Sequence, residues 1–522
     1  MEAIYQRKLH VRSKKTNWTR FAVILCVMLG FAALLHYFSW WFEDDRLRSP
    51  AYIIWFAAAV CFCLFQVIYI WTIDLATFYR PKRFDVSACD LTVDVFVTAC
   101  GEPYELIERS LTAACGMRWN HRTWLLDDAR DPILKELAAD LGAGYLTRQN
   151  RQDAKAGNIN AALARTQGDI VVIFDIDHVP DPHFLERTLP LFSDPCVGFV
   201  QVMLTFDNEG ESQIAHAAAQ TTFDFYNPLS VGADHLDGTT LIGSNALIRR
   251  DALSSIGRYQ PGLAEDLATS LALHAAGWRS AYVHEPLAPG MAPPDLAAWF
   301  TQQLKWSRGV FELLLTVYPR LFLRLKPGQH VAYGARLTYY WTGIATAFHI
   351  LLAVIVLWGG NLLTAQTFDG YLRHLMPLVV MIYVISQLLL LRWRHMSIPL
   401  KECLFRLRSY TLILNTWPAY TLTWFLAVFR IPLTFRPTPK ARGDGLHPIW
   451  LVPNLAVVIL IGLGLTRLIP MVGDPRPYWL LLLYLVTLLA SQLILPLWWL
   501  IELAGKKRRL RLSTASSLTD SY

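Results

Sequence analysis

Two carboxylates one residue apart, Asp175 and Asp177, close the apolar run "DIVVIFDIDHVPDP", and His178 follows directly. Alternate residues of a strand point to one side. Both carboxylates can therefore face one ligand while Ile176 packs behind them. Two hard oxygen ligands suit Mg²⁺ or Mn²⁺, which complete their shells with water and phosphate oxygens. Alone, such a pair also fits a solvated strand end. Three more acids, Glu102 in "TACGEP" and Asp127 and Asp128 in "LDDARD", follow other apolar runs. Five acids gathered on one rim repel one another unless a cation or basic groups compensate them.

The elements that must position these groups lie between about Asp90 and Arg308. "LTVDVFVTA", "TWLLD", "DIVVIFDID" and "VGFVQVMLTF" read as strands. "PYELIERSLTAACG", "DPILKELAADLGAG" and "AKAGNINAALARTQG" read as helices between them. Asp131 can N-cap the second helix, Pro132 suits its first turn, and Gly142 can close it. Strand and helix in alternation predict a parallel α/β sheet. Ligands bind such sheets beyond the carboxyl ends of the strands, where the five acids collect.

The rest of the 522-residue chain is of another kind. It is 54% hydrophobic and 17% charged, too apolar for an ordinary soluble protein. Six stretches, starting at Phe21, Ala51, Leu337, Leu375, Ile449 and Tyr478, approach the roughly 20 apolar residues that span a bilayer. The first is too long for a cleaved signal peptide, has no small-residue cleavage site, and is followed at once by a second span. Basic residues precede the first span (Arg7, Lys8, Arg12, Lys14, Lys15, Arg20), follow the second (Arg80, Lys82, Arg83), and follow the last ("GKKRRLRL"). The bias places the middle domain and both termini in the cytoplasm, in an inner (plasma) membrane protein. "SYTLILNTWPAYTLTWFLAVF" is long enough to span but is basic on both sides, so it is expected to lie along the cytoplasmic surface. The expected organisation is a basic N-terminus (1–20), two spans (21–79), a catalytic domain (85–330), two spans (337–391), an interfacial segment (397–447), two spans (449–501) and a cytoplasmic tail (505–522).

Eight cysteines show no CxxC and no framework spacing, which reads as reduced, buried thiols. The net charge of +7 sits mostly in membrane-flanking basic residues, so nucleic acid is not an expected partner.

"LLDDARDP", "DAKAGNINAAL", "VIFDIDHVPDP", "LIGSNALIRRDAL", "LAEDLATSLALHAAGWRS" and "QQLKWSRG" occur in this order along the chain. The series resembles family 2 glycosyltransferases, and most of all their processive, membrane-embedded cellulose synthase subgroup. "FRPTPKARGDG" resembles the gating-loop motif of that subgroup. The resemblance implies a GT-A (Rossmann-like) α/β cytoplasmic catalytic domain inserted in a polytopic α-helical membrane domain of about six transmembrane helices plus interfacial helices. It also implies a nucleotide-sugar donor, UDP-glucose before UDP-N-acetylglucosamine or GDP-mannose, and a growing polysaccharide as acceptor. The lipid bilayer is a partner by construction, and accessory export subunits are further candidates.

The resemblance assigns roles to single residues. Glu102, Asp127, Asp128, Lys155, Gly157 and Asn158 are expected around the nucleotide and its phosphates. Asp175, Asp177 and His178 are expected at Mg²⁺ or Mn²⁺. Gly243, Ser244, Asn245 and Trp306 are expected near the acceptor. Asp266 matches the general base, with Glu265 as its competitor and Ala264 where the family has threonine. Gln302, Gln303 and Lys305 match "Q-x-x-R-W" on the donor side, with lysine in place of arginine, a point charge without the bidentate fork. Phe435, Thr438 and Lys440 fall in the gating-like loop, which has Pro437 where the family often has valine. One base and one displacement imply inversion, giving a β-glycoside from an α-linked donor. Two other readings compete: a non-processive transferase acting on a lipid carrier, and a transporter or channel with a nucleotide-sensing domain. The near absence of ionisable residues within the spans counts against the second.

Overall fold

The strands of the middle domain are β1 (Val93–Ala99), β2 (Arg122–Asp127), β3 (Gly144–Leu146), β4 (Ile170–Asp175), β5 (Val197–Val202), β6 (Thr205–Phe206), β7 (Ala246–Arg249), β8 (Arg279–Val283) and β9 (Pro289–Gly290). Seven of them form one sheet in the order β3-β2-β1-β4-β7-β5-β8, and β6 pairs with β9 apart from it. The structure is a computed structural model. It describes residues 2–43, 50–79, 90–358, 365–393, 407–433, 439–440, 443, 445–471 and 479–519.

Period-two alternation makes this sheet the centre of a layered domain. Val95, Val97, Leu125, Val172 and Phe174 face one apolar layer. Phe96, Leu126, Val171 and Ile173 face the other. Both faces are covered, which is why β4 reads as a continuous apolar run rather than an alternating one. Asp131 caps the helix Pro132–Asp140 by accepting the Ile133 N–H at 2.9 Å, with Pro132 in its first turn.

The sheet is mixed rather than all parallel. β1, β2, β3 and β4 run parallel, but β7 is antiparallel to β4 and to β5. β7 is four residues long, "ALIR", and is not among the strands expected from the local pattern. Its strand state comes from pairing on both sides, which no local pattern carries. "VGFVQVMLTF" also divides, into β5 and β6.

Among the described residues six helices are long and apolar enough to cross a membrane: Trp18–Phe42, Ile53–Ala76, Trp341–Trp358, Phe368–Trp393, Pro448–Pro470 and Trp479–Lys506. They mark a membrane protein. The stretch from Ser409 forms two short helices instead, Leu407–Asn415 with 9 residues and Trp417–Val428 with 12, divided at Thr416. Twelve helical residues rise only about 18 Å, short of the roughly 30 Å hydrocarbon core. Arg80, Lys82 and Arg83, used to orient the second span, lie outside the described residues, as do Lys401, Arg406 and Arg436, which flank the stretch from Ser409.

Candidate functional site

β4 ends at Asp175, so Asp177 and His178 stand in the turn beyond it and not on the strand itself. The turn still turns Ile176 inward, 2% exposed within the core. It brings one ligand atom each from Asp175, Asp177 and His178 within 4.8 Å of one another. The Asp175 N–H donates to Ser244 Oγ at 2.9 Å, and the Met291 N–H donates to Asp177 Oδ2 at 3.0 Å. His178 is buried, its Nδ1 is 3.7 Å from Asp177 Oδ1, and neither ring nitrogen has a hydrogen-bond partner. Gly290 leaves room for the ring: a methyl there would lie 2.6 Å from Nε2.

Two lysines answer the acids. The Lys155 ammonium pairs with Asp175 and donates to the Gly243 carbonyl at 2.6 Å. Lys440 Nζ lies 2.9 Å from Asp177 Oδ1. Burial pushes both carboxyls up, but the lysines outweigh it. Lys440, with His178, holds Asp177 well below the usual carboxylate range, and Lys155 lowers Asp175. Burial lowers Lys155 and Lys440, and the facing acids more than reverse that. Two carboxylates beside an imidazole with both nitrogens unpartnered fit a divalent cation, and buried polar atoms of this kind call for such an explanation.

Gly243 joins this group to the next. Its φ of +90° suits glycine, and a Cβ there would lie 3.5 Å from Asp266 Oδ2 and 3.8 Å from Lys155 Nζ. Asp266 stands in the first turn of the helix Glu265–Ala275, its Oδ1 accepting the Leu267 N–H at 2.7 Å. Glu265 is buried, and burial raises its carboxyl, with Lys305 opposing and Asp266 adding to the rise. Ser244 and Asn245 are turned into the protein. The Ser244 hydroxyl donates to Asn245 Oδ1 at 3.2 Å, and Asn245 Nδ2 donates to the Ala288 carbonyl at 2.8 Å. They hold the loop that presents Gly243.

The remaining residues expected around the nucleotide divide in the same way. Asp127 is fully buried and accepts N–H groups from Ala129 and Asp131 and the Tyr145 hydroxyl. Asp128 is gripped by Arg148 through Nε and Nη2, at 2.7 and 2.8 Å. Glu102 accepts the Cys100 N–H at 2.6 Å, and burial raises its carboxyl. Asn158 donates to the Leu126 carbonyl at 3.1 Å, and a side chain at Gly157 would overlap the Gln152 carbonyl and the Arg148 guanidinium.

The helix Leu296–Leu315 starts at Asp295, whose Oδ1 accepts the Ala298 N–H at 2.8 Å. Gln302, Lys305 and Trp306 are half-buried and share one side by their i, i+3, i+4 spacing. Gln303 faces away and accepts the Tyr420 hydroxyl at 2.8 Å. Phe435 and Thr438 lie outside the described residues. Sequence reasoning missed Gln201, Arg148, Gly290, the Met291 N–H and Tyr420. Each acts on a residue distant in sequence, as Gln201 does in donating to the Ser244 and Asn245 carbonyls, and no local pattern pointed to any of them.

A metal-compatible group and a carboxylate, joined across a lysine and a glycine, can hold a diphosphate and take a proton from a nucleophile placed between them. A family profile described as glycosyltransferase like family 2 matches residues 126–309, and one described as cellulose synthase matches residues 249–419. Cellulose synthase 1 of Komagataeibacter xylinus is 30% identical over 295 residues, 55% of this chain and 19% of that protein. The cellulose synthase catalytic subunit [UDP-forming] of Xanthomonas axonopodis pv. citri is 33% identical over 262 residues, 48% of this chain and 36% of that one. The chain thus spans between about a fifth and two fifths of the length of these curated relatives. The structure of a mannosyltransferase from Pyrobaculum calidifontis, in complex with GDP-Man and Mn²⁺, aligns with 71% of this chain and 97% of its own at 16% identity and a TM-score of 0.48.

Proposed function

We propose that the chain is a family 2 glycosyltransferase of the cellulose synthase-like branch, and a membrane-embedded, inverting, processive transferase. It polymerises a β-linked polysaccharide, cellulose or a related β-glucan, from a cytosolic nucleotide sugar, UDP-glucose first. Synthesis is coupled to passage of the product through the membrane helices. The observation that carries this reading is the convergence of Asp266 Oδ2 and Lys155 Nζ on Gly243, with Lys155 in turn on Asp175.

Asp175, Asp177 and His178 would hold Mg²⁺ or Mn²⁺. When bound, such an ion neutralises the diphosphate that leaves as the glycosidic bond breaks. Lys155, already charged beside Asp175, adds a second positive centre at the same place. Asp266 removes the acceptor hydroxyl proton while that oxygen attacks the anomeric carbon from the side opposite the diphosphate. Trp306 offers the terminal acceptor sugar an apolar face with a polar edge. Lys305, close enough to Glu265 to favour its ionised form, sets the charge beside the base. The catalytic domain and both termini face the cytoplasm of an inner (plasma) membrane, and accessory export subunits would receive the product outside.

The test is incubation of the purified protein with a panel of nucleotide sugars and Mg²⁺ or Mn²⁺, reading nucleotide release. Release from UDP-glucose supports the reading. No release from any donor sinks it, and a single-sugar lipid product reassigns the protein to the non-processive transferases.

A further inference from the structure

The helix Leu296–Leu315 presents Gln302, Lys305 and Trp306 on one side, and its other side meets the helix Trp417–Val428 through a line of buried hydrogen bonds. Trp299 Nε1 donates to Thr416 Oγ1 at 2.9 Å, the Tyr420 hydroxyl donates to Gln303 Oε1 at 2.8 Å, and the Thr423 hydroxyl donates to Ser307 Oγ at 2.8 Å. Residues 299, 303 and 307 form one stripe of their helix, and 420 and 423 continue the stripe begun at 416. The pairs advance in the same order along both chains, so the two helices run parallel. All six side chains are 3% exposed or less. The surroundings are apolar, with Phe300, Phe311, Ala419 and Trp424 packed about the line.

An apolar interface between helices accepts several registers, because ridges meet equivalent grooves at every turn. A line of buried hydrogen bonds accepts one, since any slip leaves polar atoms unpaired away from water. A one-turn slip would move the helix by about 5.4 Å, enough to carry Trp306 and Lys305 away from the catalytic carboxylates.

Both ends of this arrangement are anchored. Asn454 Nδ2 donates to Asn415 Oδ1 at 2.9 Å and to Gln492 Oε1 at 2.8 Å. Trp417 Nε1 donates to the same Gln492 oxygen at 3.1 Å, and Asn415 Nδ2 donates to the Ser491 carbonyl at 3.0 Å. Asn454 and Gln492 belong to the last two apolar helices, Pro448–Pro470 and Trp479–Lys506. At the other end, Gly309 lies against the backbone of Ala264, directly before Glu265 and Asp266.

We propose that Thr416, Tyr420 and Thr423 are positioning residues of the transfer reaction. They fix the register of the helix that carries Gln302, Lys305 and Trp306, and so keep the acceptor end aligned with Asp266 between successive additions. The inference rests on the processive transferase reading. The seam touches no substrate. Loosening it releases the acceptor and lets water intercept the donor sugar.

The test compares wild type with Tyr420→Phe, Thr423→Val and the double variant Gln303→Met/Tyr420→Phe, measuring melting temperature, donor KM, product length and free sugar released. The single variants should melt lower, and the double variant, with no polar atom left unpaired, should regain most of the loss. All three should shorten the product several-fold and raise the free-sugar fraction several-fold, with donor KM rising by less, since the shifted helix also carries Gln302 and Lys305. Recovery of product length together with melting temperature in the double variant would show a merely structural role and overturn the proposal. A second readout does not depend on activity. Ser307→Cys/Thr423→Cys should form a disulfide, mapped by mass spectrometry, in the parent chain. In the Gln303→Met/Tyr420→Phe background its yield should fall, and Ser307→Cys/Ala427→Cys, one turn away, should gain. Equal yields in the two backgrounds overturn the proposal even if wild type turns over no nucleotide sugar, an outcome that by itself counts only against the transferase reading.

Discussion

Replacing Gly309 with alanine would place a methyl 2.9 Å from both the nitrogen and the Cβ of Ala264 and 3.0 Å from the Leu263 carbonyl carbon. Two of these three atoms are backbone, so no side chain can rotate out of the way. Restoring ordinary carbon contacts needs a displacement of about 0.5–1 Å. Helix propensity favours alanine over an interior glycine by about 1 kcal/mol, and overpacking costs about 1–3 kcal/mol. The net effect on stability is therefore small, about 0–2 kcal/mol destabilising. The effect on rate is larger, because the displaced segment leads directly into Glu265 and Asp266. A misplacement of about 1 Å costs on the order of 10²-fold, so turnover should fall roughly 10- to 100-fold. The assay is initial-rate nucleotide release beside thermal unfolding of the same preparation. Adding Ala264→Gly removes the Cβ contact but not the backbone contact, so it should restore activity in part. If Gly309→Ala keeps its rate within about twofold of wild type, the close approach does not position the base and the reasoning is wrong.

Other outcomes follow from the same site. Asp266→Asn should lower transfer by about 10²- to 10⁴-fold, whereas Glu265→Gln should lose much less; the reverse order, read by nucleotide release, would make Glu265 the base. Burial raises the Glu265 carboxyl, so the folded chain binds its proton more tightly than the unfolded chain does, and that group's contribution to stability falls as pH rises above the ordinary carboxylate range. Glu265→Gln lacks this penalty, so its melting temperature should gain on wild type between pH 5 and pH 8, measured by scanning unfolding at each pH. Asp177 is held low, chiefly by Lys440 against its own burial, so its stabilisation is present above the usual carboxylate range and lost only as pH falls well below it. Lys440→Met removes the ammonium that faces Asp177 Oδ1, and should tighten binding of Mn²⁺ in the absence of donor by several-fold, measured by titration calorimetry. Chelation of divalent ions should abolish transfer, with activity returning on addition of Mg²⁺ or Mn²⁺.

How much of this was legible in the sequence depends on the distance over which each signal acts. Strands β1, β2 and β4 and the capped helix at Pro132 follow from local periodicity and turn chemistry, and they appear where those signals place them; β3, three residues long, carries no such signal. Nor does β7, because four residues of "ALIR" suit either state until β4 and β5 close on them. The site shows the same division. Asp175, Asp177 and His178 lie within one short segment, and their convergence survived the strand ending two residues earlier than the alternation argument required. Lys155 was expected to meet phosphate, yet its ammonium also bridges Asp175 and the Gly243 carbonyl, a contact across 88 residues that no motif encodes. Ser244 and Asn245 matched an acceptor stretch by position, but the αL turn at Asn245, with φ +53°, directs their side chains inward. A motif specifies which residues recur together; the direction of each side chain is set by turns and packing that it does not record.

The most direct test of the central claim is the product itself. Purified wild-type protein supplied with UDP-glucose and Mg²⁺ or Mn²⁺ should yield a long β-linked glucan, digestible by β-glucanase and absent from Asp177→Asn. An α-linked product, a single sugar on a lipid, or undiminished synthesis by Asp177→Asn would contradict the account.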